Sequence, residues 1–115
     1  MSILYVRCNS ILKNYRKKVI EYDPSLIKEE SEIKLIKTLA DYPNTIEDAA
    51  SHYKPSTIAH YLINLAQSFN EFYHSNQVIS DDKELTKARI KLVEVTKQVL
   101  SNGLNLLAIE SPDEM

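Results

Sequence analysis

Between Ser56 and Ser75 the residues Ile58, Leu62, Leu65, Ala66, Phe69, Phe72 and Tyr73 recur three or four positions apart, giving a helix with one almost continuously apolar face. Such a helix has to bury that face against others. Glycine and proline together number five in 115 residues, and 43% of the chain is hydrophobic against 26% charged, which disfavours both disorder and a turn-rich β architecture. The expected fold class is therefore all-α, a single helical bundle of about five helices around one core.

The flanking sequence divides at turn residues. A first helix is predicted from about Ile3 to Glu21, with Leu4, Cys8, Ile11, Leu12, Tyr15 and Val19 on one face and Asp23-Pro24-Ser25 closing it. A second is predicted from about Leu26 to Asp41, striped by Leu26, Ile33, Ile36, Leu39 and Ala40 and stopped by Tyr42-Pro43-Asn44. Thr45 and Asp48 form a capping-box variant for a short third helix through Ser51, ended at Lys54-Pro55. The fifth helix follows Ser80-Asp81-Asp82, any of which is a competent cap, and turns Leu85, Ala88, Leu92, Thr96, Val99 and Leu100 inward. Gly103, the only glycine, falls near its end and leaves two placements open. One is a left-handed cap. The other, favoured by Leu104, Leu106 and Leu107 beyond it, is a helix continuing to about Leu107, with Gly103 allowing a close approach at ~1 kcal/mol relative to alanine.

The net charge is -2, yet the charges are unevenly placed. Arg7, Lys13, Arg16, Lys17 and Lys18 occur in the first twenty residues with no acid, and Lys83, Lys87, Arg89, Lys91 and Lys97 recur late, mixed with Glu84 and Glu94. A basic face for phosphate contacts competes here with ordinary solvated helix faces, and charge alone favours the latter. His52, His60 and His74 are never three or four residues apart and have no cysteine partner, so no metal site is expected. Cys8 lies on the apolar face of the first helix, where a structural thiol is expected rather than a nucleophile. With no leader, no glycosylation acceptor and no apolar run of about 20 residues, a cytoplasmic, non-membrane protein is expected.

Specific residues carry a family resemblance. The stretch Pro55 to Tyr73 is similar to the arginyl-tRNA synthetase pattern P-x-x-I/L-x-x-Y-L-x-x-L-A-x-x-F-N-x-F-Y at every specified position. The tail, Gly103-Leu-Asn-Leu-Leu-Ala-Ile followed by Pro112-Asp-Glu-Met115, resembles that family's Gly-Leu-x-Leu-Leu-Gly-Ile and Pro-Glu-x-Met ending, with Ala108, Asp113 and Glu114 as departures. Arg7, Ser10, Ile11 and Leu12 match the A-R-x-x-S-I-L opening of its C-terminal domain, with Val6 in place of alanine. The resemblance implies the all-helical anticodon-binding bundle called the DALR domain across residues 1–115, a C-terminal piece lacking the catalytic core. Neither class I signature, H-x-G-H or K-M-S-K-like, occurs, and one glycine cannot build a phosphate loop. The implied full-length enzyme ligates arginine to tRNA-Arg using ATP, whereas this piece alone is expected to be inactive and to hold no cofactor.

The implied partners are the tRNA-Arg anticodon stem-loop and the catalytic domain of the same polypeptide. Unpaired loop bases are gripped by aromatic stacking and edge hydrogen bonds. Tyr73, at the end of the fourth helix, is the leading stacking candidate, although it also continues the apolar stripe and suits a half-buried core position. The resemblance places Gln77 in a loop near the anticodon, where its amide can read a base edge, and Met115 at the same mouth with a thioether and the terminal carboxylate. Tyr5 and Arg7 form a second rank facing the anticodon stem, with Arg7 equally suited to pairing with an acid inside the bundle. Two other functions fit the same pattern: a helical protein-interaction bundle, or the equivalent domain of another synthetase such as cysteinyl-tRNA synthetase or the glycyl-tRNA synthetase β-subunit.

Overall fold

A computed structural model describes residues 2–16, 19, 21–52 and 54–110. Among them are five α-helices and no strand: α1 Ser2–Tyr15, α2 Glu30–Ala40, α3 Tyr42–His52, α4 Pro55–Ser75 and α5 Lys83–Glu110, with a 3-10 turn at Pro24–Leu26 between α1 and α2. The all-α expectation holds, and the differences lie at helix ends. The first helix stops at Tyr15, six residues earlier than expected, because Arg16 takes a left-handed conformation (φ 61°) while its N–H still bonds back to Leu12. Pro24 and Ser25 of the expected turn open the 3-10 turn, which is capped by the Asp23 carboxylate accepting from the Ser25 N–H at 3.0 Å.

Between α2 and α3 only Asp41 intervenes. Tyr42-Pro43-Asn44 does end α2, but the fixed φ of proline also suits a first helical turn, so these residues begin α3. Thr45 is consequently inside α3 rather than its cap, with both its N–H and its hydroxyl bonded to the Asp41 carbonyl. Of the three candidate caps before α5, Asp82 serves: its carboxylate accepts from the N–H groups of Glu84 and Leu85.

The helix α4 packs against α2, α3 and α5, and α1 packs along α5. The 28 residues of α5 correspond to ~42 Å, close to the 45 Å long dimension of the molecule. Phe69, Phe72, Leu65, Leu35, Val93, Leu100 and Cys8 are fully buried where these helices meet. In α2 Leu39 is buried as expected, but the other buried residues are Glu32 and Leu35, one position before Ile33 and Ile36, which are about 40% exposed. The cause is Glu32, which a hydrophobic pattern assigns to solvent but which is 0% exposed and paired with Arg89 of α5 at 2.9 Å.

Arg89 is held on three sides. Its Nε donates to Glu32, one terminal nitrogen to the Gln77 carbonyl at 2.9 Å, and the other to the Asn76 side-chain oxygen at 3.2 Å. Asn76 in turn donates to the Ser31 hydroxyl and the Phe72 carbonyl, and the second Glu32 oxygen accepts from the Glu29 N–H. Each buried polar group therefore has a partner, as burial requires.

Gly103 lies in the helix interior, and α5 runs past it to Glu110. A Cβ there would meet Leu62 Cδ2 at 2.7 Å, so the glycine permits the close approach of α4 and α5 that the sequence suggested. Fourteen residues back along α5, Arg89 meets Asn76, which is fourteen residues forward of Leu62 along the chain, so the two helices run antiparallel in one register.

Gly103→Ala gains ~1 kcal/mol of helix propensity but forces a methyl into buried Leu62, at about 1–3 kcal/mol for overpacking. In the Leu62→Ala background the clash is gone, so the same substitution is expected to stabilise; urea unfolding of the four proteins in this cycle measures the change of sign. Glu32→Ala, which strands Arg89 without a counter-charge, is expected to cost about 3–5 kcal/mol, and Glu32→Gln, which keeps an acceptor for Arg89, less. A Glu32→Gln protein as stable as wild type in urea unfolding would show that the charge contributes nothing beyond its hydrogen bonds.

Candidate functional site

Arg7 on α1 crosses to the C-terminal end of α4. Its guanidinium carbon sits 4.4 Å from the centre of the Tyr73 ring, and its Nη1 donates to the Asn70 side-chain oxygen at 3.1 Å. Asn70 and Tyr73 are three residues apart and so share a face of α4. Behind that face Tyr73 lies 23° from parallel with fully buried Phe69, ring centres 6.3 Å apart, and meets the His74 ring edge-on at 5.4 Å. Tyr73 is half-buried, packed on the core at one side and in contact with a cation. A guanidinium over a tyrosine ring contributes about 0.5–1 kcal/mol at an exposed site.

Tyr5 does not join this arrangement. Residues two apart on a helix point about 160° from one another, so Tyr5 and Arg7 flank the buried stripe of Leu4 and Cys8 on opposite sides. Tyr5 meets α5 instead, where the Lys97 ammonium is 5.5 Å from its ring centre. Gln77 lies in the turn after α4; its backbone carbonyl is fixed by Arg89, and its side chain is exposed. Met115 falls outside the described residues. The structure thus brings Arg7 and Tyr73 into contact and puts Gln77 just beyond the same end of α4. The alternative of an acid partner for Arg7 is replaced by Asn70 and Tyr73.

Four of the five late basic residues have a partner within the molecule, and Lys83 is exposed. Arg89 is buried with Glu32, Lys87 and Lys91 pair with Glu84 and Glu94 on their own helix, and Lys97 covers Tyr5. Lys13 and Arg16 on the α1 side are exposed. Asn70, the residue that sequence reasoning missed, stands inside the F-N-x-F-Y motif, and its i, i+3 spacing from Tyr73 was the available signal. No group of three or more His, Cys, Asp or Glu placed to hold a metal ion occurs among the described residues, and none of the helices described is long and apolar enough to cross a membrane.

The DALR anticodon binding domain family matches this chain over residues 1–115. The chain belongs to that family. Arginine–tRNA ligases of Halothermothrix orenii, Levilactobacillus brevis and Clostridium botulinum are 40%, 39% and 38% identical to it, each over 96% of this chain and 20% of the relative. The chain therefore spans about a fifth of the length of these curated relatives. No solved structure matches it. The resemblance read from Arg7 to Met115 is one of common family, and Asn70 and Tyr73 of this DALR domain belong to the motif that carried it.

Beneath the site, Cys8 is 0% exposed. Burial pushes its thiol up from 9.0 to about 11, with Lys97 and Arg7 pulling the other way. The folded state therefore holds this proton after the unfolded chain has lost it. The Cys8 contribution to stability is complete below pH 9.0 and declines as pH rises to about 11. In urea unfolding at stepped pH, the stability difference between wild type and Cys8→Ala is expected to shrink across that window. A difference constant with pH would mean the thiol titrates alike in both states.

Proposed function

We propose that this domain recognises the anticodon loop of tRNA-Arg, by the end of α4 and the adjoining face of α1, as part of an arginine–tRNA ligase. The observation that carries the reading is the Arg7–Asn70–Tyr73 cluster at the mouth of the Gln77 turn, within a chain matched from end to end by an anticodon-binding family. Tyr73 and Arg7 supply stacking and cation–π contact for splayed bases, and the Gln77 amide supplies an edge donor and acceptor. Tyr5, with Lys97, faces away from this cluster and would meet the nucleic acid separately, at the stem. Met115 completes the proposed set.

Ligation of arginine with ATP would belong to a catalytic domain supplied by the remaining four-fifths of a ligase of the relatives' length. A second reading has its own observation: a largely apolar groove lined by Tyr22, Ile27, Ile36, Leu92 and Val95 between the 3-10 turn, α2 and α5. As an interaction bundle, the protein would dock a partner there.

The test is a titration with a tRNA-Arg anticodon stem-loop and with a copy whose central cytosine is replaced. The chain is expected to bind the first at low salt and the second at least about tenfold more weakly, each tenfold being ~1.4 kcal/mol. Tyr73→Ala is expected to weaken binding by ~1–3 kcal/mol, the range for loss of one stacked base, while cooperative melting persists. Equal, negligible binding of both stem-loops would sink the reading.

A further inference from the structure

Resting on that reading, we propose that the surface on which a loop base stacks is the Arg7 guanidinium, with the Tyr73 ring as its support and Asn70 as the positioning residue. The geometry excludes the simpler arrangement. A base stacked on this side of the ring needs the space that the guanidinium fills, its carbon over the ring at 4.4 Å from the Tyr73 ring centre. A base approaching from this side meets Arg7 first. Elsewhere the ring is committed to buried Phe69 and to His74.

Arg7 is restrained in both respects that matter for a platform. The ring fixes how far it stands from α4, and the bond to the Asn70 oxygen fixes its rotation over the ring. That bond uses one of five N–H donors, so among the described residues the others remain to meet phosphate or base oxygens around the plane. Guanidinium planes are an established stacking surface for unpaired bases. Stacking accepts any π-face, so the platform supplies affinity, and the choice of cytosine must come from groups at the base edge.

Lysine keeps the charge of Arg7 but has no plane, which makes Arg7→Lys the decisive variant. Titrations of the anticodon stem-loop over a series of salt concentrations are expected to show Arg7→Lys about tenfold weaker than wild type with the same logarithmic salt slope. The factor for Arg7→Lys should be the same for the stem-loop with the altered central base. Asn70→Ala should weaken binding about fivefold in the wild type and add nothing once Arg7→Lys is present, since it acts only through the guanidinium. A merely structural Asn70 would give the same loss in both backgrounds.

Two results would overturn the platform, and a third the role of Asn70 in it, while leaving anticodon recognition intact. Arg7→Lys binding like wild type would make Arg7 a point charge on phosphate; Arg7→Ala binding more tightly would mean that the base displaces Arg7 and stacks on Tyr73 itself; Asn70→Ala losing equally in both backgrounds would remove its positioning role. A wild-type chain that does not bind the stem-loop overturns the platform and the recognition reading together. All these side chains are partly or fully exposed, and unchanged melting midpoints check that every variant is folded.

Discussion

The buried pair of Glu32 and Arg89 fixes how the helices of this bundle are placed along one another. Apolar contacts between helices are non-directional and tolerate sliding, whereas Arg89 presents three nitrogens in a rigid fork, each matched to a different segment. Glu32 lies in the first turn of α2, Asn76 caps α4, and the Gln77 carbonyl belongs to the turn beyond it. Only one placement of α2, α4 and α5 satisfies all three at once. A buried ion pair is weak evidence for stability, because desolvation offsets much of its attraction. Its use as a specifier of register is better supported, and here the network is complete enough to serve that way.

The second restraint lies at the other end of the same pair of helices. Gly103 and Leu62 set the depth of contact between α4 and α5, while Arg89 and Asn76 set its register, and the two points stand ~21 Å apart along the helix axes. With α5 fixed on α4 in this way, α1 follows, because α1 packs along α5. The reach of Arg7 to Asn70 and Tyr73 therefore depends on residues remote from it. A polar cluster on α2 and α5 determines how a side chain of α1 meets the end of α4.

These dependencies explain what the sequence discloses and what it withholds. The five helices follow from apolar spacing, proline and acidic caps, and the interior position of Gly103 follows from the leucines beyond it. The phase of α2 does not, because a scale that assigns carboxylates to solvent places Ile33 and Ile36 inward. One distant arginine makes burial of Glu32 tolerable and rotates the helix. The length of α1 is hidden for a related reason: Val19 continues the helical stripe and is indeed buried, but it is reached after a break at Arg16. Tyr73 was legible as either core or platform, and it has features of both. What no periodicity reveals is the layer above it, since Arg7 lies on a different helix, 66 positions earlier in the chain.

Charge economy sets the remaining constraint on how such a domain meets a nucleic acid. A chain of net charge -2 cannot rely on a long-range field, and much of its late positive charge is paired, Arg89 in the interior with Glu32 and Lys87 and Lys91 at the surface with Glu84 and Glu94, while Lys97 lies over the Tyr5 ring. Exposed cations persist on the α1 side, at Lys13 and Arg16, adjoining the helix that carries Arg7. Duplex binding through phosphates grows with the number of cations on a surface and discriminates little between sequences. A few π-surfaces and edge groups held in fixed register suit unpaired bases, which bring their own stacking area and can be distinguished at their edges. On this molecule Arg89 is spent on holding α2, α4 and the turn after α4 in register, and on the proposed reading recognition would rest on the shape presented there.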